Sequence, residues 1–168
     1  MDFERLLDER YTVRSYDEKK ISIEDVNKII EAGRKAPSAK NLQPIKIIAC
    51  TSDEALSRID SVSPCRYNAP VAFIICSSKE DAWSKEGYSS YDTDSSICTT
   101  YMMLEATNLG LGSVWVGMFD TNKTKEAFNI EDKYTPISML MVGYKKEGTG
   151  PLSSHFNRKD INEFVEYL

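Results

Sequence analysis

The run from Pro70 to Ser77 does most to limit what this chain can become, because Val71, Ala72, Phe73, Ile74, Ile75 and Cys76 follow one another without a polar break. Successive side chains of a strand point to opposite faces, so a strand that is apolar at every position is one buried on both sides. Strands are also expected at Ile45–Thr51, Ser113–Gly117 and Ile137–Gly143. Helical signals alternate with them. Phe3, Leu6 and Leu7 give a short amphipathic helix ending near Arg10. Ser22 has the chemistry of an N-cap, with Asp25 completing an imperfect capping box, and Ile23, Val26 and Ile30 then repeat at helical spacing up to Lys35. Short helices are expected at Asp53–Ile59 and Lys123–Phe128. A long one, capped by Asp94 or a neighbour, runs through Ile97, Tyr101, Leu104 and Leu109 to a stop at Gly110 or Gly112. Residues 79–91 read as a polar loop or a mobile lid, Lys145–Pro151 as turns, and Lys159–Tyr167 as a closing helix. Without a repeat or linker, residues 1–168 are expected to form one α+β domain.

Composition excludes several classes. A chain of 168 residues with 41% hydrophobic and 28% charged residues can build a core, and its net charge of −5 disfavours nonspecific nucleic-acid binding. The four cysteines, Cys50, Cys65, Cys76 and Cys98, form no CxxC pair and have no nearby histidine, so reduced thiols are expected rather than a zinc site. Cys50 and Cys76 sit in apolar runs, as small core residues do. The N-terminus is charged from its second residue, unlike a signal peptide, and no apolar run reaches membrane-spanning length. The expected location is the cytoplasm.

Chemistry is concentrated in three places. In Ala36-Pro37-Ser38-Ala39-Lys40-Asn41-Leu42-Gln43-Pro44, two prolines bar a continuous helix, and Ser38, Asn41 and Gln43 can each donate and accept hydrogen bonds. Such a segment suits recognition of a planar heterocycle, or is simply a helix-to-strand connection. Arg10 and Arg14 flank Thr12, a set able to grip a phosphate or to form a solvated basic surface; Arg158-Lys159 is a second basic pair. His155, the only histidine, has no visible nucleophile partner and receives no role. Gly117 and Met118 follow the strand that leaves Gly110-Leu111-Gly112. They could offer backbone N–H groups to a ligand or merely end a core strand. The Gly-Leu-Gly ends a helix rather than opening one, so it is no dinucleotide fingerprint, and no Walker A, GxSxG or HExxH motif is present.

From Arg10-Tyr11-Thr12-Val13-Arg14 through the 36–44 segment, the chain resembles the FMN-dependent nitroreductase family. The resemblance continues at Ala69-Pro70-Val71, Asp94-Ser95-Ser96-Ile97, Gly110–Ser113, Trp115–Asp120, Pro136-Ile137, Val142–Tyr144 and Arg158-Lys159, in the manner of the family's compact branch. It implies a nitroreductase-like mixed or antiparallel central sheet surrounded by helices. It also implies an obligate homodimer with FMN at the interface, and NADH or NADPH as electron donor. By position, Arg10, Tyr11, Thr12 and Arg14, with Arg158 and Lys159, would hold the FMN phosphate and ribityl chain. Pro37, Ser38, Asn41 and Gln43 would belong to a loop facing the flavin held mainly by the other subunit, and Gly117 and Met118 would face the N5 and O4 edge. No catalytic side chain is implied, since the flavin carries the chemistry. The implied reaction is ping-pong reduction of a nitroaromatic, quinone or similar planar acceptor.

Three departures stand out. Thr12 replaces the usual serine, Ile45 stands where an aromatic residue often follows Gln-Pro, and Asn68 is the candidate for the family's pyrimidine-directed asparagine. Trp83, Tyr88 and Tyr91 would line either a substrate mouth or an exposed loop. The alternative function is an FMN-binding protein of the same fold, acting in flavin sequestration, breakdown or sensing without efficient nicotinamide turnover.

Overall fold

The structure, a computed structural model, describes residues 2–168. In chain order its elements are α1 (Phe3–Glu9), α2 (Ile23–Lys35), a 3-10 turn (Ala39–Asn41), β1 (Ile45–Cys50), α3 (Asp53–Val62), β2 (Val71–Ser78), β3 (Ser84–Lys85), β4 (Tyr88–Ser89), α4 (Tyr91–Asn108), β5 (Gly112–Val116), α5 (Thr121–Ala127), β6 (Tyr134–Gly143), a second 3-10 turn (Ser153–Phe156) and α6 (Ile161–Phe164). Four strands form one sheet in the order β1-β2-β6-β5, and every neighbouring pair is antiparallel. A single parallel bridge, Thr12 to Ser113, adds the Arg10–Tyr16 segment to the free edge of β5.

The apolar run is the centre of this sheet. All of β2 is buried, and its side chains divide between two cores. Phe73 and Ile75 pack with Val26, Ile29, Met102 and Leu140 toward α2 and α4. Ala72, Ile74 and Cys76 pack with Ile59, Val114, Met139 and Met141 toward α3 and α5. Both faces are thus closed by helices, as a strand of continuous apolar character requires. All four cysteines are free and buried, and burial pushes the thiols of Cys50 and Cys76 up to about 12 and that of Cys98 to about 11.

Local chemistry accounts for most boundaries. Ser22 caps α2 by accepting the Asp25 N–H at 3.1 Å, but the Asp25 carboxylate turns to Lys28 at 2.9 Å instead of completing the box. Gly110, at φ +76°, ends α4 with a turn in which the Leu111 N–H reaches the Ala106 carbonyl at 2.9 Å. β6 starts earlier than its apolar run suggests, at Tyr134, and contains Pro136. The β2–β6 register shifts between Ile75 and Cys76, opposite that proline, and β5 pairs only from Met139 onward. Pro136 therefore lacks its N–H where β6 has a single neighbour and a bulge.

Three expectations are corrected. Residues 79–91, expected as a polar loop or mobile lid, hold the hairpin β3–β4, with Trp83 and Tyr88 ring centroids 5.9 Å apart. Asp94 does not cap the long helix: α4 begins at Tyr91, and the Asp94 carboxylate is used elsewhere. The closing helix is one turn long, Ile161–Phe164, capped by Asp160, so Arg158 and Lys159 precede it rather than begin it. Among the described residues, no helix is long and apolar enough to cross a membrane.

Candidate functional site

The parallel bridge to β5 places the first basic cluster. The Val13 N–H donates to the Ser113 carbonyl at 2.9 Å, and Val13 is buried against Gly112. A Cβ on Gly112 would stand 2.7 Å from Val13 Cγ2, so a glycine is needed for the segment to lie this close. With Val13 turned inward, the alternation of extended backbone turns Arg10, Thr12 and Arg14 the other way. They line a cleft of about 270 Å³ together with Tyr11, Leu152, Ser154, His155 and Arg158.

Charge in this cleft is unmatched. Arg5, Arg34, Arg58 and Arg66 each pair with a carboxylate, whereas among the described residues Arg10, Arg14 and Arg158 pair with none. Burial, and then the charge of Arg158, hold the Arg10 pKa below its ordinary value. Three guanidinium groups converging without a counter-ion make a site for an anion with several oxygens. The walls are braced: the Tyr11 hydroxyl donates to the Thr149 carbonyl at 3.0 Å, and Lys145 Nζ lies 5.2 Å from the centre of the Tyr11 ring. The Tyr11 phenol is raised by burial. Behind Arg14 sits Tyr67, whose phenol is raised first by its contact with the Cys65 thiol, while Arg14 acts in the opposite direction. Tyr67 and Asn68 both have positive φ, +55° and +60°, and Asn68 is exposed.

Gly117 and Met118 lie just past the last β5–β6 pair, Val116–Met139, and neither N–H donates in the turn and loop hydrogen bonds. Their turn is fixed from the far side, where Ser63 Oγ donates to the Met118 carbonyl at 2.7 Å. A Cβ on Gly117 would meet nothing within 4 Å, so internal packing does not demand this glycine. Met118 is 62% exposed.

The 36–44 segment lies over a different hollow, of about 240 Å³, whose lining includes Gly33, Pro37, Ser38, Gln43, Asp94 and Cys98 and shares no residue with the arginine cleft. Much of its polarity is turned on itself. Ser38 Oγ accepts the Gln43 N–H at 3.0 Å, and the Gln43 amide donates to the Asn41 carbonyl at 3.1 Å. Lys40, Asn41 and Gln43 all have positive φ, +52°, +56° and +51°, at a cost of roughly 1–2 kcal/mol for each non-glycine residue held there.

Within one protomer, then, the structure gathers Arg10, Tyr11, Thr12, Arg14 and Arg158 and leaves Pro37, Ser38, Asn41 and Gln43 apart from them. Lys159 is not in the cleft wall. Two participants carry no local sequence signal. His155 reaches the cleft through the Ser153–Phe156 turn, and Asp94 accepts the Ala39 N–H at 2.9 Å across 55 positions of sequence.

The Nitroreductase family model matches residues 7–65 and 63–144. This chain belongs to the nitroreductase family. It is 31% identical over 145 residues to a protein of Archaeoglobus fulgidus that carries the provisional name NADH dehydrogenase/NAD(P)H nitroreductase, with 82% of each chain covered. A nitroreductase family protein from Clostridium difficile 630 superposes with a TM-score of 0.92 at 34% identity, covering 99% of this chain and 98% of that one. A second structure, of a provisionally named nitroreductase from Exiguobacterium sibiricum in complex with FMN, shares the fold with a TM-score of 0.87 at 20% identity, covering 100% of this chain and 98% of that one.

Proposed function

We propose that the chain is an FMN-dependent NAD(P)H oxidoreductase that reduces nitroaromatics, quinones or similar planar acceptors, working as a homodimer with FMN at the interface. The observation that carries this reading is the convergence of Arg10, Arg14 and Arg158 on one cleft without a carboxylate among them. The FMN bound by the Exiguobacterium sibiricum protein ends in a phosphate, whose several oxygens are what three unpaired guanidinium groups can grip.

Bound FMN would supply the redox chemistry, accepting hydride from NADH or NADPH and passing electrons to the acceptor in a ping-pong cycle. The protein's part is to hold and orient it. Arg10, Arg14 and Arg158 would neutralise the phosphate, with the Thr12 hydroxyl as a further donor and Tyr11 as a wall. The N–H groups of Gly117 and Met118 would donate toward the N5 and O4 edge, where the absence of a Cβ at position 117 leaves room for the ring. Pro37, Ser38 and Asn41, remote from the cleft of their own protomer, would close over the flavin held by the neighbouring subunit. The dimer is supported by apolar surface: Phe156, Ile161, Phe164 and Tyr167 are all exposed near the C-terminus, with Tyr167 at 86%. A monomer rarely leaves so much apolar area in water. A single domain over residues 1–168 and a cytoplasmic location belong to the same reading.

The test is spectroscopic. The purified protein should be yellow and dimeric, should bleach anaerobically on addition of NADH or NADPH, and should regain its colour when a nitroaromatic is added. FMN that neither nicotinamide bleaches would overturn the reductase and leave a flavin-binding protein. A protein that takes up no FMN would overturn both.

A further inference from the structure

Residues 40–43 are all exposed, three of them have positive φ, and the space behind the segment is the 240 Å³ hollow rather than packed side chains. Within residues 40–43, neither burial nor backbone preference holds the loop in place; the buried Pro44, whose carbonyl accepts the Ser78 N–H at 2.9 Å, fixes only its C-terminal end. Its internal bonds, from the Asn41 N–H to the Ser38 carbonyl at 2.9 Å and from the Leu42 N–H to the Ala39 carbonyl at 3.1 Å, shape the turn but do not fix it to the body.

Asp94 makes the connection. Its side chain is buried at 2% exposure, with Oδ1 accepting the Ala39 N–H at 2.9 Å and Oδ2 accepting the Ser90 hydroxyl at 2.8 Å. Ser90, 1% exposed, closes the β3–β4 hairpin by donating its N–H to the Trp83 carbonyl at 2.9 Å. On the outer side, Lys40 Nζ lies 5.7 Å from the Trp83 ring centre. Loop and hairpin therefore meet at one carboxylate.

We infer that Asp94 is the positioning residue of the flavin pocket: it anchors the 38–43 loop to the base of the 84–89 hairpin, so that the loop presents one fixed surface to the isoalloxazine ring. The inference rests on the flavin reading above. A buried carboxyl group suits the task because its two separate oxygens can tie two separate segments. Asparagine keeps an oxygen for Ala39 and an amide for Ser90, whose hydroxyl can turn to accept. Alanine keeps neither.

The experiment compares wild type with Asp94→Ala, Asp94→Asn and Ser90→Ala by amide exchange of the flavin-free protein and by titration with FMN and riboflavin. In Asp94→Ala, the Ala39 amide should lose its protection while the β2 amides keep theirs. Affinity for FMN and riboflavin should fall together, by about tenfold, because the loop meets the ring and not the phosphate. Asp94→Asn should stay within about threefold of wild type, and Ser90→Ala should fall between the two. Should Asp94→Ala not fold, Ser90→Ala carries the test through the same two readouts. Unchanged flavin affinity in the folded variants, beside a wild type that binds FMN, would overturn the inference alone. A wild type that binds neither flavin would overturn the inference and the proposed function together.

Discussion

The arginine cleft and the 36–44 loop are both polar surfaces, but they are organised in opposite ways. In the cleft, Arg10, Arg14 and Arg158 bring like charges together with no carboxylate to offset them. In the loop, Gln43 bonds to the Ser38 hydroxyl and the Asn41 backbone carbonyl, and the buried Asp94 side chain ties the loop down at Ala39. The cleft's guanidinium groups have no carboxylate partner among the described residues, whereas much of the loop's polarity is spent inside the protein. In the proposed dimer, binding would divide accordingly, with one subunit's charge gripping one end of the flavin and the neighbour's loop facing the other.

The sharpest way to break that division is Arg14→Ala. Losing a charge-assisted contact to phosphate should weaken FMN binding by about 1.5–3 kcal/mol, roughly 10- to 150-fold, and leave riboflavin affinity unchanged. Parallel titrations with the two flavins measure it. An equal loss for both would move Arg14 from the phosphate end to the ring, and no loss for either would remove it from the site.

The two regions also differ in how far sequence reveals them. Arg10, Thr12 and Arg14 are two residues apart in an extended segment, so their common direction follows from local alternation once Val13 is turned inward. The loop's proline boundaries are equally local, and so is the burial of β2 on both faces. What holds the loop is not local. Asp94 has the chemistry of a helix cap and sits near a helix start, yet its oxygens go to Ala39 and Ser90 because α2 and α4 pack side by side and bring residue 39 to it. His155 enters the cleft by a chain path that its neighbours in sequence do not specify. The short β3–β4 hairpin carries no apolar alternation to announce it. The last helix is cut to one turn, with Asp160 capping at Ile161 where a helix from Lys159 was expected.

A second way to strain the comparison is to move the cleft without touching its charges. Gly112→Ala would put a Cβ 2.7 Å from Val13 Cγ2 and 2.8 Å from Lys145 Cγ. Lys145 is long and can swing away, but Val13 is 1% exposed and has nowhere to go. The β5 edge and the Arg10–Arg14 segment must separate, at about 1–3 kcal/mol of folding stability, typical of an overpacked core. Denaturant unfolding of the flavin-free variant should show that loss. FMN affinity should fall with it, because Thr12 and Arg14 ride on the displaced strand. Full stability in Gly112→Ala would mean that the segment is not pinned where the bridge places it.

Gly117→Ala is the complementary and gentlest change. The added Cβ meets no atom of the protomer within 4 Å, and φ at 117 is not in the left-handed region, so stability should stay within about 0.5 kcal/mol of wild type. The glycine has no packing duty to lose. Any effect must therefore come from what approaches from outside, and a methyl group between the Gly117–Met118 backbone and a planar ring should cost about 1 kcal/mol of flavin affinity. That loss should appear for riboflavin as well as FMN, unlike the FMN-only loss expected of Arg14→Ala. Equal flavin affinity in wild type and Gly117→Ala would detach the strand end from the ring and leave the cleft as the one contact of β5's neighbourhood with the cofactor. A joint loss, with stability unchanged, would make position 117 the point where the charge-held end of the site passes into the shape-held end.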